Sequence, residues 1–479
     1  MNRFQLKHPL LAALFALATV LAIFELLAVL CMNQGPHATK QSVRPLPVTL
    51  GDCVKLGTVE NGRLVGFSPN GNTLAVVREG GWTSAGPIRL WDVRSGKEKG
   101  SVGEGWDQIQ MVHFSPDSTM IAVYDTNNGI GVWDIATGNQ RDAFKPRTFF
   151  GNCVSFWFSP DSKSLIYKHF AENFPHDEGD QLFNIRDIGA GRDRATIVGE
   201  PWLFEFSPDG TRIATGTSAA RGVKRRVMLW AWAGGQPPVL LRDHSVRADS
   251  VAFSHSLDSF ATANTTGQAR DTTEIQIVDM NTGHTRLTFT YTDEETHIQE
   301  ISFSRDEKLL IANGGGGHQL SWTTRSTLWD IRGTAARKIG SYPVEPGVSS
   351  DAGVLAVQSL TGRSEVRVSL VEVATGQEKG ALTQTGDVTG SFVGTFNNLK
   401  SYASIAFSPD GRVVIVWRLF TDQKRGGYNV ARIWQVEPLK ELETLYSCHD
   451  LSFSPDRRTL VVLTGNGSLR LWRLASSRC

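Results

Sequence analysis

Very little in this chain of 479 residues announces chemistry. Its five cysteines are too few and too scattered for a disulfide scaffold. There is no Cys-x-x-Cys pair, no His-Glu-x-x-His, no Gly-x-Ser-x-Gly elbow and no lysine closing a phosphate loop. The common zinc, redox, hydrolase and nucleotide signatures are therefore missing, and no metal or cofactor is implied. An excess of one charge is missing too. Lys plus Arg is 49 against 48 Asp plus Glu, a net charge of +1, so no global basic field points to nucleic acid.

Long apolar runs are absent with one exception, Leu10 to Met32, whose only charge is Glu25. About twenty apolar residues is what a bilayer core requires. The expected layout is a short cytoplasmic tail over 1–8, a transmembrane anchor over 9–32 opened by Pro9, and a stalk over 33–49 containing Gly35, Pro36, Pro45 and Pro47. A cleaved signal peptide is the rival reading. Its apolar region is usually shorter, however, and no small-x-small site follows Leu26. Leu30 is too bulky for lipoprotein processing at Cys31. Arg3 and Lys7 crowd the first end of the run, while Lys40 and Arg44 lie further from the second. That asymmetry places the N-terminus in the cytoplasm and exports the rest, to a periplasmic or extracellular space.

What the chain does have is a repeat. Phe-Ser-Pro-Asp or a close variant stands at Phe67 to Asn70, Phe114 to Asp117, Phe158 to Asp161, Phe206 to Asp209, Phe407 to Asp410 and Phe453 to Asp456. Weaker copies begin at Phe253 and Phe303, and a faint one at Val348 fills the long gap before Phe407. Outside that gap the copies lie 44 to 50 residues apart. A fixed period in the forties marks radially repeated four-stranded sheets. Within the first unit, Leu64 to Phe67 runs into the Ser-Pro turn, then Thr73 to Val77, Ile88 to Val93 and Lys97 to Val102 read as three more strands. Third strands end at Trp91-Asp92, Trp133-Asp134, Trp230-Ala231, Trp329-Asp330, Trp434-Gln435 and Trp472-Arg473, with Asp279 and Glu372 in the acidic slot of weaker units. Gly96, Gly138, Gly191, Gly235, Gly283 and Gly376 each follow that slot by four residues, as a left-handed turn position would. The tryptophans are expected to fill the gaps between neighbouring blades.

The Phe-Ser-Pro-Asp turn with the Trp-Asp strand end resembles the WD-repeat β-propeller family over residues 50–479, in what looks like a degenerate, bacterial, membrane-anchored branch. One departure stands out. His244 matches the family's His position, yet Val278 occupies the Trp slot of its unit. The resemblance implies an all-β propeller of eight or nine four-stranded blades. Pairing of Cys53 to Val59 with Leu469 to Leu474 would close it; two rings of four and five blades are the alternative. It also implies a non-catalytic protein-interaction platform with protein partners. A propeller hydrolase or lyase acting on saccharide or peptide in the channel, or a ligand sensor, are the rivals.

Candidate contact residues lie in interstrand loops. His176, Asp177, Glu178 and Asp180 form an acidic loop, and Arg221, Lys224, Arg225 and Arg226 a basic one in the next unit. On one rim they would make a bipolar surface suited to steering a charged protein. Asp293, Glu294, Glu295 and His297 read as a solvated acidic loop, and Gly314 to His318 as a flexible one. Trp106, Trp202 and Trp322 are candidates for face contacts or inter-blade packing. Cys53 and Cys479 would both belong to the closing blade and could form a disulfide there. Cys153 and Cys448, each five residues before a repeat Phe, read as small buried apolar positions.

Overall fold

The computed structural model divides the chain into a unit of residues 1–43 and a unit of residues 44–479. It describes residues 48–476 apart from 60–61, 79–85, 147–154, 169–181, 200–202, 218–223, 233–235, 267–271, 293–296, 317–322, 343–346, 350–352, 361–364, 386–403, 409–410, 423–425, 447 and 457. The expected anchor and stalk lie outside the described residues. Among those described there is no helix, and hence none long and apolar enough to cross a membrane.

Thirty-six strands, β1 to β36 in chain order, build nine four-stranded antiparallel sheets. Blade 1 is typical: β2 (Gly62–Phe67), β3 (Thr73–Arg78), β4 (Ile88–Asp92) and β5 (Glu98–Val102), each paired with the next. Blades 2 to 8 repeat this over 109–144, 156–198, 204–246, 250–292, 297–342, 347–385 and 404–446. The faint copy at Val348 is a true blade. Blade 9 takes three strands from 448–476 and its fourth from the front of the chain, because β1 (Val48–Thr58) pairs antiparallel with β36 (Ser468–Ser476). Cys53 lies opposite Trp472 in that pairing. Joining the two ends removes two open sheet edges.

The apolar side chains form nine separate clusters, each spanning one junction between neighbouring blades. Trp91 of blade 1 packs on Val461 and Leu469 of blade 9, and Trp133 of blade 2 on Ala75 and Ile88 of blade 1. Trp329 and Trp472 reach back to the preceding blade in the same way. Nine clusters at nine junctions make one ring, so the two-ring arrangement is excluded.

The loop reading of the glycine run needs correction. Gly314 to Gly316 belong to β23 (Leu309–Gly316) and pair with Arg325, Thr324 and Thr323. Cross-strand pairing in a long hairpin overrides the weak strand preference of glycine.

Candidate functional site

In a four-stranded meander, the connections between first and second strands and between third and fourth emerge at one end of the sheet. Those between second and third strands, and onward to the next blade, emerge at the other. The ring therefore has two unlike faces.

On the first face, every connection between a blade's first and second strands is five residues long, from 68–72 in blade 1 to 454–458 in blade 9. The turn serine explains this uniformity. In all nine blades its hydroxyl oxygen accepts the N–H five residues on: Thr73 to Ser68 at 3.0 Å, Met120 to Ser115 at 2.9 Å, and Val354 to Ser349 at 2.9 Å in the faint copy. The remaining six are 2.9–3.0 Å. The carboxylate two residues after the serine accepts the hydroxyl proton, as Asp117 does from Ser115. The very next residue is left-handed, with φ of 74° at Gly71 and 64° at Ser118. Ser118 tolerates that strain because its hydroxyl accepts the N–H of Asn70 in blade 1; Ser162 does the same for Asp117 of blade 2. Neighbouring turns are thus stitched together.

The Trp-Asp ends lie on the same face. The acid accepts N–H groups of its own turn, as Asp134 does from Ala136 and Thr137, and the following glycine takes a positive φ, 72° at Gly138. Seven residues after the acid comes a cation in blades 1, 2, 3, 5, 6 and 7. Arg141 clasps Asp134 and holds its carboxyl down at about 2. Arg332 and then Arg337 hold Asp330 far below the usual carboxylate range, while Lys379 approaches Glu372 at 3.7 Å. Not every cation clasps its acid: in blade 1 Lys99 donates to Thr73 Oγ1 at 3.4 Å, and in blade 3 Arg194 lies over the Trp232 ring. Between blades 1 and 2 this face opens into a groove of about 650 Å³, with Asn70, Arg94 and Lys99 on one wall and Ser118, Asp134 and Arg141 on the other.

The second face carries the uneven connections. They range from residue 447 alone to residues 386–403, with 145–155 and 169–181 also long. His176, Asp177, Glu178, Asp180 and Arg221 lie outside the described residues, as do Asp293, Glu294, Glu295, Trp202, Trp322 and Cys479. The strands flanking the acidic and the basic segments open onto this same face from neighbouring blades 3 and 4. Lys224 is exposed at its edge. Arg225 and Arg226 are not loop residues but begin β16 (Arg225–Ala231). Arg225 donates to the carbonyls of Ala248 and Asp249, both at 2.8 Å, and Arg226 pairs with Asp243 at 2.8 Å.

Along the inner rim, Asp450 of blade 9 accepts the N–H of Leu64 in blade 1 at 2.9 Å and that of Leu451 at 2.8 Å; burial pushes its carboxyl up to about 6. Burial likewise lowers His113 to about 4, leaving a neutral ring edge-on to Phe156 of blade 3. His244 lies on the outer strand of blade 4, and its Nε2 bonds the Met280 carbonyl of blade 5 at 2.8 Å, on the blade whose Trp slot is Val278. Trp106 packs edge-on against Trp133 at 4.6 Å, in the blade 1–2 junction rather than on a face. Cys448 is buried and its thiol is pushed up to about 12, as a small apolar position would have it. Among the described residues no three His, Cys, Asp or Glu side chains converge as metal ligands would. The groove and the stitched turns were missed in sequence. The one signal for the groove was Asn70, where the other strong copies have Asp.

No family model matches the chain, and no curated protein matches it. Among solved structures, a crystal structure of a eukaryotic initiation factor has 14% identity over 87% of this chain and 91% of that one, with a TM-score of 0.54. The Dos1 propeller has 12% identity over 89% and 95%, at 0.44. The C-terminal WD40 domain of Sif2 has 13% identity over 77% and 96%, at 0.43. At these identities the likeness is one of fold. The chain is a nine-bladed, four-stranded antiparallel propeller.

Proposed function

We propose that this protein is a non-catalytic interaction platform, displayed on a membrane by its N-terminal segment with the propeller exported. The observation that carries the reading is the inequality of the two faces. One keeps every turn between first and second strands at five residues and those between third and fourth at four to seven, with neighbouring turns bonded across blades; the other bears connections of one to eighteen residues. A ring whose loops vary chiefly on one side is built to present surface, as binding loops on rigid scaffolds generally are. Membrane display rests on the apolar run Leu10 to Met32, and tethering in a plane raises the effective concentration of partners. The oppositely charged segments on blades 3 and 4 would steer a charged protein toward that side.

The test is crosslinking of the full-length, membrane-bound protein followed by mass spectrometry. A version in which residues 169–181 are replaced by a short Gly-Ser linker serves as comparison. Specific protein partners that are lost or depleted in the linker version are expected. Recovery of no protein above background, together with turnover of a small molecule, would overturn the platform reading.

A further inference from the structure

From the groove between blades 1 and 2 we infer a second docking site, on the face opposite the long loops, for an acidic peptide segment of a protein partner. This rests on the platform reading and adds to it a place and a chemistry. Three features of blade 1 meet there. Asn70 replaces the aspartate that occupies the same turn position at Asp117, Asp161, Asp209, Asp306 and Asp456, so one wall lacks its usual negative charge. Lys99 leaves Asp92 unclasped and turns to Thr73, keeping further donors free for a ligand. Arg94 is exposed, and its guanidinium makes no hydrogen bond or ion pair with any described residue.

The groove's own carboxylates offset these cations only in part, Asp92 being drawn to both Lys99 and Arg94. Asp134 is taken by Arg141 and its own turn, and Asp92 accepts the Ser95 N–H at 2.7 Å. Two lining carboxylates stand against three lining cations, Arg94, Lys99 and Arg141, which leaves the groove net positive. A volume of about 650 Å³ suits a few side chains of an extended peptide, and the lining offers hydroxyl and amide groups beside its cations. An anionic segment matches that charge.

The experiment titrates a fluorescein-labelled decaglutamate peptide, with decaglutamine as control, onto the full-length protein and reads anisotropy. Removing both blade 1 cations, Arg94→Gln with Lys99→Gln, is expected to weaken decaglutamate binding about tenfold. Asn70→Asp, which restores the repeat residue and leaves the turn's bonds intact, is expected to weaken it about threefold without lowering the melting temperature. Removing two distant exposed cations, Arg192→Gln with Lys440→Gln, should leave binding unchanged. The inference is overturned if decaglutamine binds as well as decaglutamate, if neither peptide binds, or if the distant pair weakens binding as much as the groove pair. Failure here with partners still recovered by crosslinking sinks the groove and spares the platform; loss of all partners sinks the platform itself.

Discussion

Each repeat is recognisable because a few atoms in it do one job. The turn serine accepts an N–H in every blade, a buried one in blade 2, so Ser115→Ala would leave the Met120 N–H without its acceptor. An orphaned buried donor costs about 1–3 kcal/mol, and urea denaturation of the variant should show a loss in that range. The same bond explains why even the faint copy at Val348 could be found: Ser349 survives where the Phe and Pro do not. Asp450 makes a different prediction. Its folded value of about 6 lies above its ordinary 3.8, so the folded state favours the protonated carboxyl. Stability is then greatest below about 4 and falls as pH climbs through about 6. In Asp450→Asn this decline should vanish while the Leu64 N–H keeps an acceptor, which thermal melts of the two proteins between pH 4 and 7 would reveal. A wild-type profile parallel to that of the variant would refute it.

Strands and their neighbours carry the next level. Trp133 fills the junction with blade 1 beside Ile88 and Val123, so Trp133→Ala should destabilise by about 3–5 kcal/mol in chemical denaturation. Strand order and the Trp slots were legible from sequence because their signals are local and recur. Gly314 to Gly316 and Arg225-Arg226 were misread because their strand state comes from a partner strand, Thr323 to Arg325 in the one case and Ser245-Val246 in the other. Propensity had no means of seeing those partners. The groove escaped for a related reason: Arg94 and Ser118 come together only when two blades pack.

At the scale of the whole ring, stability is divided among nine apolar junctions instead of gathered in one core. Such an arrangement behaves as a chain of nearest-neighbour interfaces, and here the chain is closed by β1. Deleting residues 48–58 exposes the edge of β36 and strips blade 9 of its outer strand. The shortened protein should melt at a lower temperature and associate through the free edge, visible as larger species in size-exclusion chromatography. An unchanged, monomeric product would show that the closing strand is dispensable.

The fixed five-residue turns have a consequence for descent. An added residue in one of them would push a serine out of reach of its N–H and pull adjoining wedges apart, whereas the other rim absorbs extra sequence freely. Insertions accumulated by diverging copies of this gene should therefore spare these nine turns and fall mostly on the other rim. Lineages would then differ in what they grasp while the hub keeps its circumference.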